Sequence, residues 1–157
     1  MDARLDVSRS EILRKFTRHL NAAAMAVPDS VLPPGTGYLV VIRASQVNGC
    51  SVCTDMHTKD AAHAGESPER LNLVAAWQDA TVFTGAERAA LELAEQGTRI
   101  ADGAGGVTDA AWASAARHYD EDQLAALVCL VAFINAYNRV NVICRSRGGG
   151  YRPGQWG

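Results

Sequence analysis

The segment Asp120 to Arg145, DEDQLAALVCLVAFINAYNRVNVICR, constrains the fold more than any other part of the chain. It lies between the proline and glycine breaks of the chain and is rich in helix-forming residues. The result is a helix of about seven turns, apolar nearly all round in its middle. Such a helix is buried in a larger helical core or in a subunit interface. Its most apolar run, Leu124 to Ala136, is about 13 residues, shorter than the roughly 20 that cross a bilayer. A core helix, not a membrane span, is expected.

Elsewhere, proline and glycine break the chain at Val27 to Gly37, Ala64 to Glu69, Phe83 to Gly85, Ala101 to Gly106 and in the tail RGGGYRPGQWG. The stretches between are rich in Ala, Leu, Glu and Arg and long enough for helices. Ser8 or Ser10 caps a first helix running toward Met25, with Ile12, Phe16 and Leu20 at helical spacing and Pro28 closing it. Leu39 to Ile42 is a β-branched run that would suit a strand, but no second convincing strand exists to pair with it, so it is assigned to a helix. Ser51 is the expected cap and Gly65 the expected stop of a helix over Val52 to Ala64. Ser67 followed by Pro68, the Thr84 and Glu87 capping box, and Thr108 open three more. The expected architecture is all-α, a single domain over residues 1–157 with six to seven helices.

With 157 residues, 48% hydrophobic and 20% charged, the composition is that of an ordinary globular domain. A net charge of -2 without runs of like charge argues against nucleic acid or a membrane surface as partner. The N-terminus lacks the apolar core of a signal peptide, which predicts a cytoplasmic location.

In a reducing compartment a C-x-x-C pair reads as catalytic or metal-binding, and Cys50, Cys53 and His57 form C-x-x-C-x-x-x-H. On a helix these three fall within roughly 60° of one another. A thiol in the first turn of a helix, beside a histidine and in a C-x-x-C pair, has a lowered pKa. As thiolate it can attack a peroxide to give a sulfenic acid, which a second thiol converts to a disulfide. Cys53 fits the first role and Cys50 the second. A zinc or iron site is the other chemical reading, but a closed structural site needs a fourth ligand and Cys129 and Cys144 lie far along the chain, so no metal is assigned. The third reading is a plain pair of small buried residues.

Three stretches, VVIRASQVNGCSVCTDMHTKDA, AAWQDATVFTGAERAALELAE and INAYNRVNV, resemble in order and spacing the carboxymuconolactone decarboxylase-like family, in its alkylhydroperoxidase D (AhpD)-like branch. The resemblance implies an all-helical bundle that associates through its long helices into homo-oligomers, whether dimer, trimer or hexamer. It also implies a thiol-dependent peroxidase in which Cys53 attacks a small hydroperoxide, Cys50 forms the disulfide and His57 serves the proton relay. Electrons would come from a dithiol protein or a lipoyl-type reductant, with no bound cofactor. The chain departs from the family at Tyr38, twelve residues before the first cysteine, where peroxidase members carry the relay glutamate. A phenol with a pKa near 10 is a poor base at neutral pH, so Tyr38 would act as a donor, or Asp55 or Glu66 would stand in. Asp55, two residues past Cys53, should face elsewhere on the helix. A non-catalytic redox sensor and a lactone decarboxylase are the alternatives.

His19, His63 and His118 lack the neighbours of a site, and Cys129 and Cys144 are expected to be packing residues. Trp77, Phe83, Phe133 and Tyr137 are expected in core or interface. Asn135, Asn138 and Arg139, polar on an apolar helix, need partners and are assigned to a structural network.

Overall fold

The computed structural model describes residues 3–155 apart from Asp29 and Ala104. Parts of three expected breaks, at Asp29, Ala104 and the terminal Trp156 and Gly157, therefore lie outside the described residues. Among those described there are seven α-helices and no strand: α1 (Glu11–Ala24), α2 (Thr36–Val47), α3 (Ser51–His63), α4 (Pro68–Leu73), α5 (Gly85–Thr98), α6 (Asp109–Ala116) and α7 (Glu121–Cys144). A 3-10 turn over Val74–Ala76 follows α4, so the segment after Ser67 is not one continuous helix.

Local chemistry accounts for the starts. Ser10, Ser67 and Thr108 accept an amide three residues on, Thr84 with Glu87 forms a full capping box, and so does Asp120 with Gln123. Gly35 precedes α2 at φ +82°, a backbone conformation that calls for glycine, and an added Cβ would lie 3.3 Å from Glu66 Oε2.

The β-branched run is a helix because of where it sits. α2 lies in the middle of the molecule, against α3, α5 and α7, and Leu39, Val40 and Ile42 have no exposed surface. Burying such side chains contributes roughly 2 kcal/mol each, more than the modest helix propensity lost to branching.

The α7 helix packs Ala126, Leu127, Val131 and Ile134 inward and carries α1 on its flank, where the Tyr137 hydroxyl donates to Thr17 O (3.0 Å) and Asn21 Oδ1 (2.6 Å). Its 24 residues, with a mean hydropathy of 1.6 over the most apolar 18, are long and apolar enough to cross a membrane, which the shorter count of 13 had concealed. Five other helices pack against it, and it buries Asn135 and Asn138 in hydrogen bonds to them, which marks it as a core helix. Its opposite face leaves Val128, Val142 and Ile143 exposed, and α1 buries none of its residues. Cys129, expected to pack, is exposed on that face, whereas Cys144 is buried. Trp77 and Phe83 are core residues as expected.

Beyond α7 the chain turns through Arg145 in the left-handed region, φ 55°, and the segment from Ser146 to Tyr151 runs back along α3.

Candidate active site

Cys50 and Cys53 are joined as a disulfide at the start of α3, with Cα atoms 5.4 Å apart, well within the range such a bond takes. The cap of α3 is Cys50, not Ser51. Its backbone is extended, and its Sγ accepts the amide of Cys53 at 3.3 Å. Helical angles thus relate Cys53 to His57, about 40° apart, while Cys50 reaches Cys53 through the cap.

A polar network behind the cap holds this turn. Asn48 donates to Asn135 Oδ1 (3.0 Å) and Asn138 Oδ1 (2.8 Å), and Asn135 donates to Thr98 Oγ1 (3.0 Å). The amide of Asn138 donates to Ser45 Oγ (3.2 Å), and the carbonyl of that serine accepts the Cys50 amide at 2.9 Å. Arg139 closes it by donating to Asn135 O and Oδ1. The three polar residues of α7 are therefore the structural network expected of them, and its far end is the cysteine turn.

Both sulfurs are covered, Cys50 at 1% and Cys53 at 2% exposure. Asn141 of α7 points its Nδ2 at Cys53 Sγ, 3.5 Å away. A cleft of about 140 Å3 between the ends of α7 and α3 reaches Cys50, lined also by Asn141, Arg145 and Ser146. Its volume is that of a few water molecules.

His57 follows one turn after Cys53. Its Nε2 is buried and has no hydrogen-bond partner among the described residues. Burial depresses its pKa from 6.5 to about 4, against the opposing pull of Asp60, so the imidazole is neutral at physiological pH, with an open lone pair but a weaker base than a solvated histidine. Tyr38, on α2, is half-buried and packs beside Leu39 and Ile42 in the core, close enough to Tyr151 for the two phenols to interact electrostatically.

Neither stand-in carboxylate is free for a relay. Asp55 pairs with Lys59 (2.7 Å) and accepts the amides of Gly149 (2.7 Å) and Tyr151 (3.2 Å); the Lys59 bond above all, with those amides, holds its pKa below the usual range despite partial burial. Glu66 pairs with Arg70, which also grips Glu87. Asp55 thus faces the tail, as its angle on α3 implied. Asn141 and Asp60 were not singled out in the sequence. Asn141 lay inside the quoted INAYNRVNV, and Asp60 stands three residues after His57, a spacing that puts both on one helix face. Among the described residues no group of three His, Cys, Asp or Glu side chains is arranged to hold a metal ion.

A family model described as the carboxymuconolactone decarboxylase family matches residues 11–96. The uncharacterized protein YdfG of Bacillus subtilis is 39% identical over 112 residues, 71% of this chain and 75% of that protein. The uncharacterized YnjA of Escherichia coli is 32% identical, over 71% of this chain and 60% of its own length. Among solved structures, a protein of unknown function from Agrobacterium tumefaciens, described with the antioxidant defence protein AhpD, superposes with a TM-score of 0.85 at 29% identity, over 96% of this chain and all of that one. The debrominase Bmp8 shares the fold at a TM-score of 0.76 and 19% identity, over 92% of this chain and 75% of that one. From the matched residues and the shared helical frame, the chain belongs to the carboxymuconolactone decarboxylase family, with an AhpD-like fold.

Proposed function

We propose that the chain is a thiol-dependent peroxidase that cycles Cys50 and Cys53 between dithiol and disulfide. The observation that supports it most is the buried Cys50–Cys53 bond at a helix start, with Asn141 donating to one of its sulfurs.

In the reduced protein, Cys53 passes its proton to His57 and its thiolate attacks one oxygen of the hydroperoxide. The S–O bond forms, the O–O bond breaks, and the departing alkoxide takes the proton back as an alcohol. Cys50 then attacks the sulfenic sulfur as a thiolate; hydroxide leaves and, with the Cys50 proton, departs as water. An external dithiol, a protein or a lipoyl-type carrier, attacks Cys50, the sulfur that lines the cleft, and Cys53 leaves as thiolate; the donor's second thiol then attacks the mixed disulfide, releasing Cys50 and leaving the donor as its own disulfide. The Asn141 amide and the first-turn amides of α3 favour that charge. A small hydroperoxide is the proposed substrate, and the cleft of about 140 Å3 opens on Cys50, the neighbour to which Cys53 is bonded. Tyr38 supplies a hydrogen-bond donor where the family's glutamate would accept a proton. No bound cofactor enters the scheme, and the chemistry suits the cytoplasm, where dithiol donors are maintained. The exposed apolar residues of α7 and α1 support association of copies through these helices.

The test is peroxide consumption under excess dithiol by the wild type, Cys50→Ser and Cys53→Ser, with mass spectrometry of the protein. Turnover by wild type, none by Cys53→Ser, and a sulfenic acid persisting in Cys50→Ser are expected. The near-complete cover of both sulfurs favours a second reading, a redox sensor, which predicts one disulfide formed per chain and no turnover. Peroxide-independent decarboxylation of a lactone surviving loss of both cysteines would overturn both.

A further inference from the structure

We infer that Asp60 and Tyr151 are positioning residues for His57, forming with it a Tyr–Asp–His chain that replaces the relay glutamate. The inference rests on the peroxidase reading for its role in turnover, but not for the existence of the chain.

The face of α3 that carries the chemistry is regular: Cys53, His57 and Asp60 follow at four and three residues and fall within about 60° of one another. The neighbouring face, Ser51, Asp55 and Lys59, holds the returning tail. Gly148 N donates to Ser51 Oγ (3.2 Å), Asp55 accepts two tail amides, and Lys59 Nζ donates to the carbonyls of Gly149 (3.3 Å) and Tyr151 (2.9 Å). The backbone at Tyr151 is thereby held from two side chains of α3. From there the Tyr151 hydroxyl crosses to the chemical face and donates to Asp60 Oδ1 at 2.8 Å.

The consequence for His57 is electrostatic. When the imidazole accepts the Cys53 proton it becomes a cation, and among the described residues the Asp60 carboxylate is the charged group that favours that cation. Asp60 thus acts on the imidazole by charge from one turn along the same face, as the carboxylate of a hydrolytic triad stabilises its imidazolium, without taking the proton. Burial first, and then the bond to Asp60, push the Tyr151 phenol above its ordinary value, so it stays a hydrogen-bond donor to the carboxylate. From α2, Tyr38 lies close enough to Tyr151 to add to the rise of its pKa.

The chain is tested by Asp60→Asn, Asp60→Glu, Tyr151→Phe and a tail control, Asp55→Asn, which loosens the same segment but leaves the Tyr151–Asp60 bond chemically possible. Two readouts are taken on the full-length protein: the His57 imidazole titration by nuclear magnetic resonance, and the second-order rate of Cys53 oxidation by hydrogen peroxide at several pH values. Asp60→Asn is expected to move the His57 titration to more acid pH and slow oxidation at least about tenfold. Asp60→Glu should restore most of both, and Tyr151→Phe should show a smaller effect of the same sign. An unchanged His57 titration in Asp60→Asn overturns the inference. If Asp55→Asn equals Tyr151→Phe in both readouts, Tyr151 acts only as cover and its place in the chain is lost. If wild type is inert to peroxide, the peroxidase reading fails while the His57 titration still decides the chain.

Discussion

His57 keeps a neutral imidazole because burial penalises its charged form, and that has a thermodynamic consequence. The unfolded chain takes up a proton below pH 6.5, whereas the folded chain does so only near pH 4. Folding stability therefore falls as pH drops from 6.5 toward 4 and levels off below, by up to about 3 kcal/mol from this group. The difference between urea unfolding of wild type and His57→Gln, measured from pH 7 to 5, should show that slope in the wild type alone. Asn141 invites a second measurement. Its bond to Cys53 Sγ is one that strengthens when the sulfur is charged, so Asn141→Val should raise the Cys53 thiol pKa by about one unit, read from the ultraviolet absorbance of the thiolate in Cys50→Ser. An unchanged pKa would leave Asn141 a packing residue.

At the scale of elements, the tail and α3 meet at a contact with no slack. A Cβ on Gly148 would clash with Ser51 O, a backbone atom that cannot swing aside. Gly148→Ala should therefore lift the tail from α3, with faster proteolysis after Arg147 and faster alkylation of the reduced cysteines; unchanged rates would show that the tail does not cover them. Behind the cysteine turn, Asn138→Ala leaves Asn48 and Ser45 with unmet bonds in a buried place and should cost about 2 kcal/mol in urea unfolding. These elements also show what the sequence could tell. Helix starts were readable wherever the cap was Ser or Thr, since their chemistry is local. The cap of α3 was missed because sulfur is not among the usual capping groups and the neighbouring serine is. The tail was unreadable for another reason: RGGGYRPG has no periodicity, and its place depends on Asp55 and Lys59, some ninety residues away in sequence. The pairing of Asp60 with Tyr151 exists only once that tail has docked.

For the whole molecule, the disulfide is a small part of what holds the fold. It closes a loop of three residues' separation, and the loop-closure entropy of so short a ring is worth about 2 kcal/mol at most. The core made by α2, α5 and α7 does not depend on it. Reduction by a dithiol should leave the helical circular dichroism intact and lower the unfolding free energy by no more than that amount; collapse of the fold on reduction would make the bond a structural staple. The fold class was legible because buried helices leave a strong pattern, as α7 does. The exposed strip on its far side was not, since an apolar helix reads the same whether one face or all of it is covered. One feature at the joint of α2 and α3 reaches into method. The sulfur that closes the disulfide also accepts the amide of Cys53, so a change in its oxidation state alters the environment of a single peptide proton. The chemical shift and solvent exchange of that one amide make the backbone its own electrode, able to report the redox poise of a sample without label or thiol reagent.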